Sequence, residues 1–299
     1  KSDNIDILLE GAGHMSGNRL LAVAQRPAPI QVAWPLYPNT TGLTAIDYRI
    51  LDKHTALPSA DEFCTEKIIR LPHSYQVNDD AREISDHAMT REEFFLPKDG
   101  FVFCCFNNNY KIMPTEFDVW MRLLHQVKGS VLWLLRGNQW AEENLRREAM
   151  ARGIFGERII FADRVAMPEH LARHRLADLF LDTINYNAHT TMSDALWAGL
   201  PAVTKIGEGF AARVGASLLS AIGLPELITH SVEEYETLIY GLARNPDQLS
   251  SLKSKLEASR MAKPLFNTAL FTGHLEDAYM QAYHNYVNGH SPRDIQIQA

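Results

Sequence analysis

Leu179-Phe180-Leu181-Asp182-Thr183-Ile184-Asn185-Tyr186-Asn187-Ala188-His189-Thr190-Thr191-Met192-Ser193-Asp194-Ala195-Leu196-Trp197-Ala198-Gly199 reads as one strand, loop and helix in succession. The apolar triplet 179–181 is a short strand that ends at Asp182-Thr183. A polar loop follows, and a helix opens at His189-Thr190-Thr191 and stops at Gly199. Two consecutive threonines at a helix start set two hydroxyls beside unpaired backbone N–H groups, at the positive end of the helix dipole. A diphosphate suits that arrangement; an ordinary N-cap is the plainer alternative. Asp194 lies one turn further in, where a carboxylate can accept a bond from a ribose or sugar hydroxyl.

Outward from this stretch, strand and helix patterns alternate along the chain, which predicts a parallel α/β architecture. Before it come strands at 101–106, 131–135 and 159–161, with helices over 114–127, 142–152 and 168–175. The first of these helices carries Phe117, Trp120, Met121 and Leu124 at helical spacing. Gly153 closes the second. After the stretch come a strand at 202–205 and helices over 210–222, 232–244, 246–259 and 273–287. The front of the chain offers strands at 5–9, 30–34, 48–52 and 66–71, with a short helix near 19–25. An acidic segment, 78–93, reads as a connection, and Pro97-Lys98-Asp99-Gly100 as the turn that opens a second domain.

The 299 residues suffice for two domains. A net charge of −7 with no basic cluster argues against a nucleic-acid partner. The absence of a long apolar run argues against a membrane partner. Cys64, Cys104 and Cys105 form no disulfide framework, so a reduced, cytoplasmic setting is expected. Gly11-Ala12-Gly13-His14-Met15-Ser16-Gly17 follows a strand, but its third glycine falls one place late for a dinucleotide fingerprint. It also lacks the acidic residue that should come about 20 positions on.

The core His189-Thr190-Thr191-x-x-Asp194-x-Leu196-Trp197-Ala198-Gly199 resembles the O-GlcNAc transferase family. Further segments carry the resemblance: Arg26-Pro27-Ala28-Pro29-Ile30-Gln31 with Trp34 and Tyr37-Pro38, Phe106-Asn107 with Tyr110-Lys111-Ile112, 130–136, 158–161, and Pro264-Leu265-Phe266-Asn267-Thr268. It spans about residues 5–285. It implies a GT-B fold: two Rossmann-like domains, the first incomplete in this chain, with limits at 1–95 and 96–270. Residues 271–299 would be a C-terminal helix returning to the first domain, plus a tail. Because Lys1-Ser2-Asp3-Asn4 runs straight into a strand, the chain is expected to belong to a longer polypeptide with helical repeats before it.

The implied activity is transfer of GlcNAc from UDP-GlcNAc to Ser/Thr hydroxyls of intracellular proteins, with inversion and without metal or cofactor. The partners are then a UDP-sugar and peptide acceptors. Breaking the sugar–phosphate bond leaves growing negative charge, and a cation must meet it. The resemblance gives that role to Lys111. Asn108 stands where the family touches the phosphates. His170 and Arg173, one turn apart, match a pair that contacts the base, with the backbone near Val165 reading its edge. His189, Thr190, Thr191 and Asp194 complete the donor site, and His14 approaches from the first domain. His174 and Arg175 read as surface. Met167, Leu36 and Lys263 depart from the family pattern, Leu36 by placing a bulky side chain where a glycine is usual. Two alternatives stay open: a SPINDLY-like O-fucosyltransferase using GDP-fucose, and a nucleotide-sugar-binding protein without turnover. The general base is unassigned.

Overall fold

The computed structural model describes residues 3–57 and 60–299. The chain forms two compact units. One gathers the residues up to Asp79 with Glu208–Ala211 and Pro264–Ala299; the other holds Asp80–Gly207 and Ala212–Lys263.

The first unit is built on a parallel sheet in the order β1-β2-β3-β4-β11. Its strands are β1 (Ile7–Glu10), β2 (Ile30–Ala33), β3 (Tyr48–Asp52), β4 (Lys67–Leu71) and β11 (Ile295–Gln296). Every residue of β2 and β3 is buried, as expected of parallel strands covered on both faces. Successive side chains alternate between those faces. Ile30, Val32, Tyr48, Ile50, Ile69 and Leu71 pack with Ala278 and Ala282 of the helix Thr268–Val287. Ala33 joins Val23 and Ile46 in a second cluster, and Leu51 joins Ile68 in a third.

Two features of this unit differ from the sequence reading. The last helix begins at Thr268, because the Asn267 side chain accepts the Leu270 N–H and caps it there. The tail is not featureless: β11 pairs with β4, and Asp294 accepts the Ile68 N–H at 2.9 Å while pairing with Arg70.

In the second unit the sheet order is β10-β9-β8-β5-β6-β7, all parallel. The strands are β5 (Val102–Cys105), β6 (Val131–Leu135), β7 (Ile159–Ala162), β8 (Leu179–Leu181), β9 (Ala202–Lys205) and β10 (Ile228–Thr229). The chain winds outward from β5 to β7, returns to β8 on the other flank of β5, and winds outward again. Phe103 accordingly lies beside Leu132 on one side and Leu179 on the other. This is the doubly wound order, and its direction reverses between β5 and β8. Ligands of such sheets bind outside the carboxyl ends of the strands at that reversal.

The predicted helix over 210–222 is split. A short turn, Phe210–Ala212, precedes the helix Val214–Ile222. Phe210 packs edge-on against Tyr75 at 4.9 Å and under Arg49, both in the first unit. Its apolar side chain belongs to a different core from that of the helix it was read into. Among the described residues no helix is long and apolar enough to cross a membrane.

Candidate functional site

Two loops leave the sheet at the reversal, one after β5 and one after β8. The first carries Asn107, Asn108 and the short helical turn Asn109–Lys111; the second runs from Asp182 to the helix Thr190–Trp197. Buried polar groups tie them together. Asn107 Nδ2 donates to Thr183 Oγ1 at 2.8 Å, and Thr191 Oγ1 donates to Asn107 Oδ1. Thr183 Oγ1 donates to the Tyr186 carbonyl, and Asn187 Nδ2 to the Thr183 carbonyl at 2.7 Å. The loop at 182–189 is thus held from inside.

Asp182 anchors it. The side chain is fully buried, accepting the Ala188 N–H at 2.6 Å and the Thr204 hydroxyl at 2.6 Å. Its carbonyl accepts the Tyr235 hydroxyl, which in turn accepts Trp120 Nε1. Burial pushes the Asp182 carboxyl up to about 7, against the pull of Thr204, Ala188 and Lys111. Asp182, which the sequence places only at the end of the strand, is the buried anchor of the loop.

Lys111 reaches across to this loop. Its ammonium donates to the Asn187 carbonyl at 2.9 Å and lies 3.8 Å from the centre of the Tyr186 ring. Burial lowers its pKa, while the charge of Asp182 opposes that shift. His189 is the N-cap of the next helix, with its ring 5.2 Å from that of Tyr186. The Met192 and Ser193 amides turn back to the His189 carbonyl, and the N–H groups of the first turn point out of the helix start. Thr190 at this helix start and Asn108 before the turn Asn109–Lys111 are exposed. Asp194 does not lie open: it is buried and ion-paired with Arg82, whose carbonyl accepts Trp197 Nε1.

His170 and Arg173 follow β7 on the helix Met167–Arg173. Arg173 is 1% exposed. Its guanidinium donates to the Asp163 carbonyl and to His170 Nδ1, each at 2.5 Å, and lies over the Phe106 ring at 4.6 Å. An arginine only donates, so His170 Nδ1 accepts and the ring proton sits on Nε2. Burial, then the Arg173 charge, lowers the His170 pKa to about 4. The pair expected to face a ligand together is therefore arranged in depth, Arg173 behind His170. His174, read as surface, is fully buried, donates to the His170 carbonyl and is held neutral with its pKa near 3. Val165 is exposed on the intervening loop.

His14 belongs to the first unit. Its Nε2 donates to the Thr41 carbonyl at 2.7 Å. The amides of Ala12 and Gly13 are spent on the Glu10 carboxylate at 3.0 and 2.8 Å. Gly13 has φ +48°, and a Cβ there would fall 2.2 Å from the Tyr37 ring. The loop is thus tightly folded on itself, and these two amides are not offered to a phosphate. Leu36 is 64% exposed.

Two parallel-sheet α/β units, the second with a polar site at its winding reversal, define a protein of the GT-B class. The same fold occurs in WaaG, a glycosyltransferase involved in lipopolysaccharide biosynthesis, at 12% identity and TM-score 0.54, covering 86% of this chain and 80% of that one. The profile of glycosyl transferase family 41 matches residues 1–89 and 83–275, and the chain belongs to that family. A probable UDP-N-acetylglucosamine–peptide N-acetylglucosaminyltransferase of Arabidopsis thaliana, SEC, is 38% identical over an alignment of 301 residues. That alignment covers 99% of this chain and 31% of the plant protein. A mutant of the Thermobaculum terrenum O-GlcNAc transferase superposes with TM-score 0.89 at 32% identity, over 96% of this chain and 55% of that one. The chain spans about a third of the curated relatives it matches.

Proposed function

We propose that the polypeptide containing this chain transfers GlcNAc from UDP-GlcNAc to Ser/Thr hydroxyls of intracellular proteins, with inversion and without a metal ion. The observation that carries this reading is the Lys111 ammonium, lodged on the loop 186–187 beside an open helix start at the sheet reversal. As the sugar leaves, the β-phosphate oxygen gains charge, and Lys111 and the first-turn amides meet it already oriented. Asn108 and the Thr190 hydroxyl add donors to the diphosphate. His170, neutral with its proton on Nε2, donates to a carbonyl on the edge of the base, and the backbone near Val165 reads the same edge. Arg173 serves by holding His170. The acceptor hydroxyl then attacks the face of the sugar opposite the diphosphate. The names of SEC and of the Thermobaculum protein support this donor and this acceptor class. Their greater lengths support a longer polypeptide that supplies further residues.

The test is a calorimetric titration of UDP and GDP without metal, followed by transfer assays with UDP-GlcNAc and peptides. UDP binding with little for GDP is expected. Lys111→Met is expected to lower transfer by two or more orders of magnitude while largely keeping UDP. GDP preference would replace the donor with a guanine nucleotide sugar, and unchanged turnover in Lys111→Met would remove the mechanism.

A further inference from the structure

Lysine side chains are long, flexible and strongly hydrated. A lysine that must meet charge at one point needs something to hold it there. In this chain three features surround the Lys111 ammonium. The Asn187 carbonyl takes one N–H at 2.9 Å. The Tyr186 ring lies 3.8 Å from Nζ, within the range where the negative face of a ring attracts a cation. The buried Asp182 carboxylate of the same loop favours the charged form of the lysine.

The Tyr186 ring is itself fixed. Its carbonyl accepts the Thr183 hydroxyl, and its ring is bracketed by His189 at 5.2 Å and Tyr110 at 6.4 Å. An ammonium has three N–H donors. One is on Asn187 and the ring face covers another side, which leaves one N–H without an acceptor among the described residues.

We infer that Tyr186 is the positioning residue for Lys111: its ring face holds the ammonium against the Asn187 carbonyl and leaves the remaining N–H for an anionic ligand group. Tyr186 need not touch the ligand to do this. The ring also offsets part of the loss of hydration that burial imposes on the cation. The geometric claim stands on this chain alone; its meaning for catalysis rests on the transfer reading above.

The direct readout is the reactivity of the Lys111 amine. The full chain is labelled with a trace of acetic anhydride at several pH values, and acetylation at Lys111 is quantified by mass spectrometry. The wild type is compared with Tyr186→Phe and Tyr186→Leu. Leucine keeps an apolar cover but removes the ring face, so the ammonium loses support and the neutral, reactive amine becomes more populated. Lys111 acetylation at fixed pH is expected to rise about tenfold in Tyr186→Leu and to stay near wild type in Tyr186→Phe. A second measurement needs no altered residue at 186. The ring 13C resonances of Tyr186 are expected to shift as Lys111 titrates in the wild type, and to lose that step in Lys111→Met.

Equal reactivity in all three proteins would overturn the assignment, as would a Phe variant matching the Leu variant, because the hydroxyl and not the ring would then matter. UDP calorimetry on the same samples keeps the two readings apart. A tenfold rise in a protein that binds no UDP leaves Tyr186 as the holder of Lys111 and removes the nucleotide. UDP binding with unchanged Lys111 reactivity does the reverse.

Discussion

At the scale of single residues, burial decides what each polar group can do. His-x-x-Arg at 170 and 173 is visible in the sequence as two side chains on one helical face. The sequence does not reveal that Arg173 is buried, with its donors on the Asp163 carbonyl and His170 Nδ1. Part of that depth comes from the Phe106 ring under the guanidinium, which is distant along the chain. A prediction follows from the bond. In the folded protein His170 stays neutral until pH falls to about 4. Its folded pKa lies below the unfolded value near 6.5, so its contribution to stability is present above pH 6.5 and is lost as pH falls through 4. Nucleotide affinity owed to His170 is expected to be flat from pH 8 to 5. In Arg173→Met the cationic neighbour and the Nδ1 donor are both gone. Ring 15N NMR should then show the His170 midpoint rising by about one unit or more, with the proton no longer confined to Nε2. An unmoved midpoint and tautomer would show that Arg173 does not set the state of His170.

At the scale of elements, periodicity was most informative where one face of an element is buried. The helix Pro114–Gln126 buries Phe117, Trp120, Met121 and Leu124, the residues that its spacing picks out. The split at 210–214 escaped the same reasoning, because Phe210 is apolar at a helical position yet packs on Tyr75. Two glycines in helices give opposed predictions. A Cβ on Gly215 would fall 2.4 Å from Thr204 Oγ1 and 2.7 Å from Asp182 Oδ2, into the pair that holds the site loop. Gly215→Ala is expected to cost about 1–3 kcal/mol in urea unfolding. Gly241 lies in the helix Val232–Arg244 with nothing within 4 Å of such a Cβ. Gly241→Ala is expected to stabilise by about 0.5–1 kcal/mol, since alanine gives up less freedom on folding. Equal effects at the two positions would contradict the close packing around Asp182.

For the molecule as a whole, the buried Asp182 links folding to pH. Its folded pKa, about 7, lies above the ordinary carboxylate value of 3.8. The stability it contributes is fully present below pH 3.8 and is lost as pH rises through 7. Asparagine at 182 can still accept the Ala188 N–H and can donate to Thr204. Asp182→Asn is therefore expected to unfold at urea midpoints that fall less between pH 4.5 and 8 than those of the wild type. Parallel curves for the two proteins would refute the raised pKa. The alternation of apolar strands with helices, the strand-loop-helix at 179–199 and the family membership were all legible in the residue order. They depend on local periodicity and on short motifs, which neighbouring residues encode. Only the tertiary structure decided which polar groups remain open. It paired Asp194 with Arg82, 112 positions away, buried Arg173 and His174, spent the Gly13 amide on Glu10, and set Lys111 on the Tyr186 ring. The Gly13 bond is local, three residues apart, but the others rest on desolvation or on a contact between segments far apart in the chain, and a one-dimensional pattern carries neither.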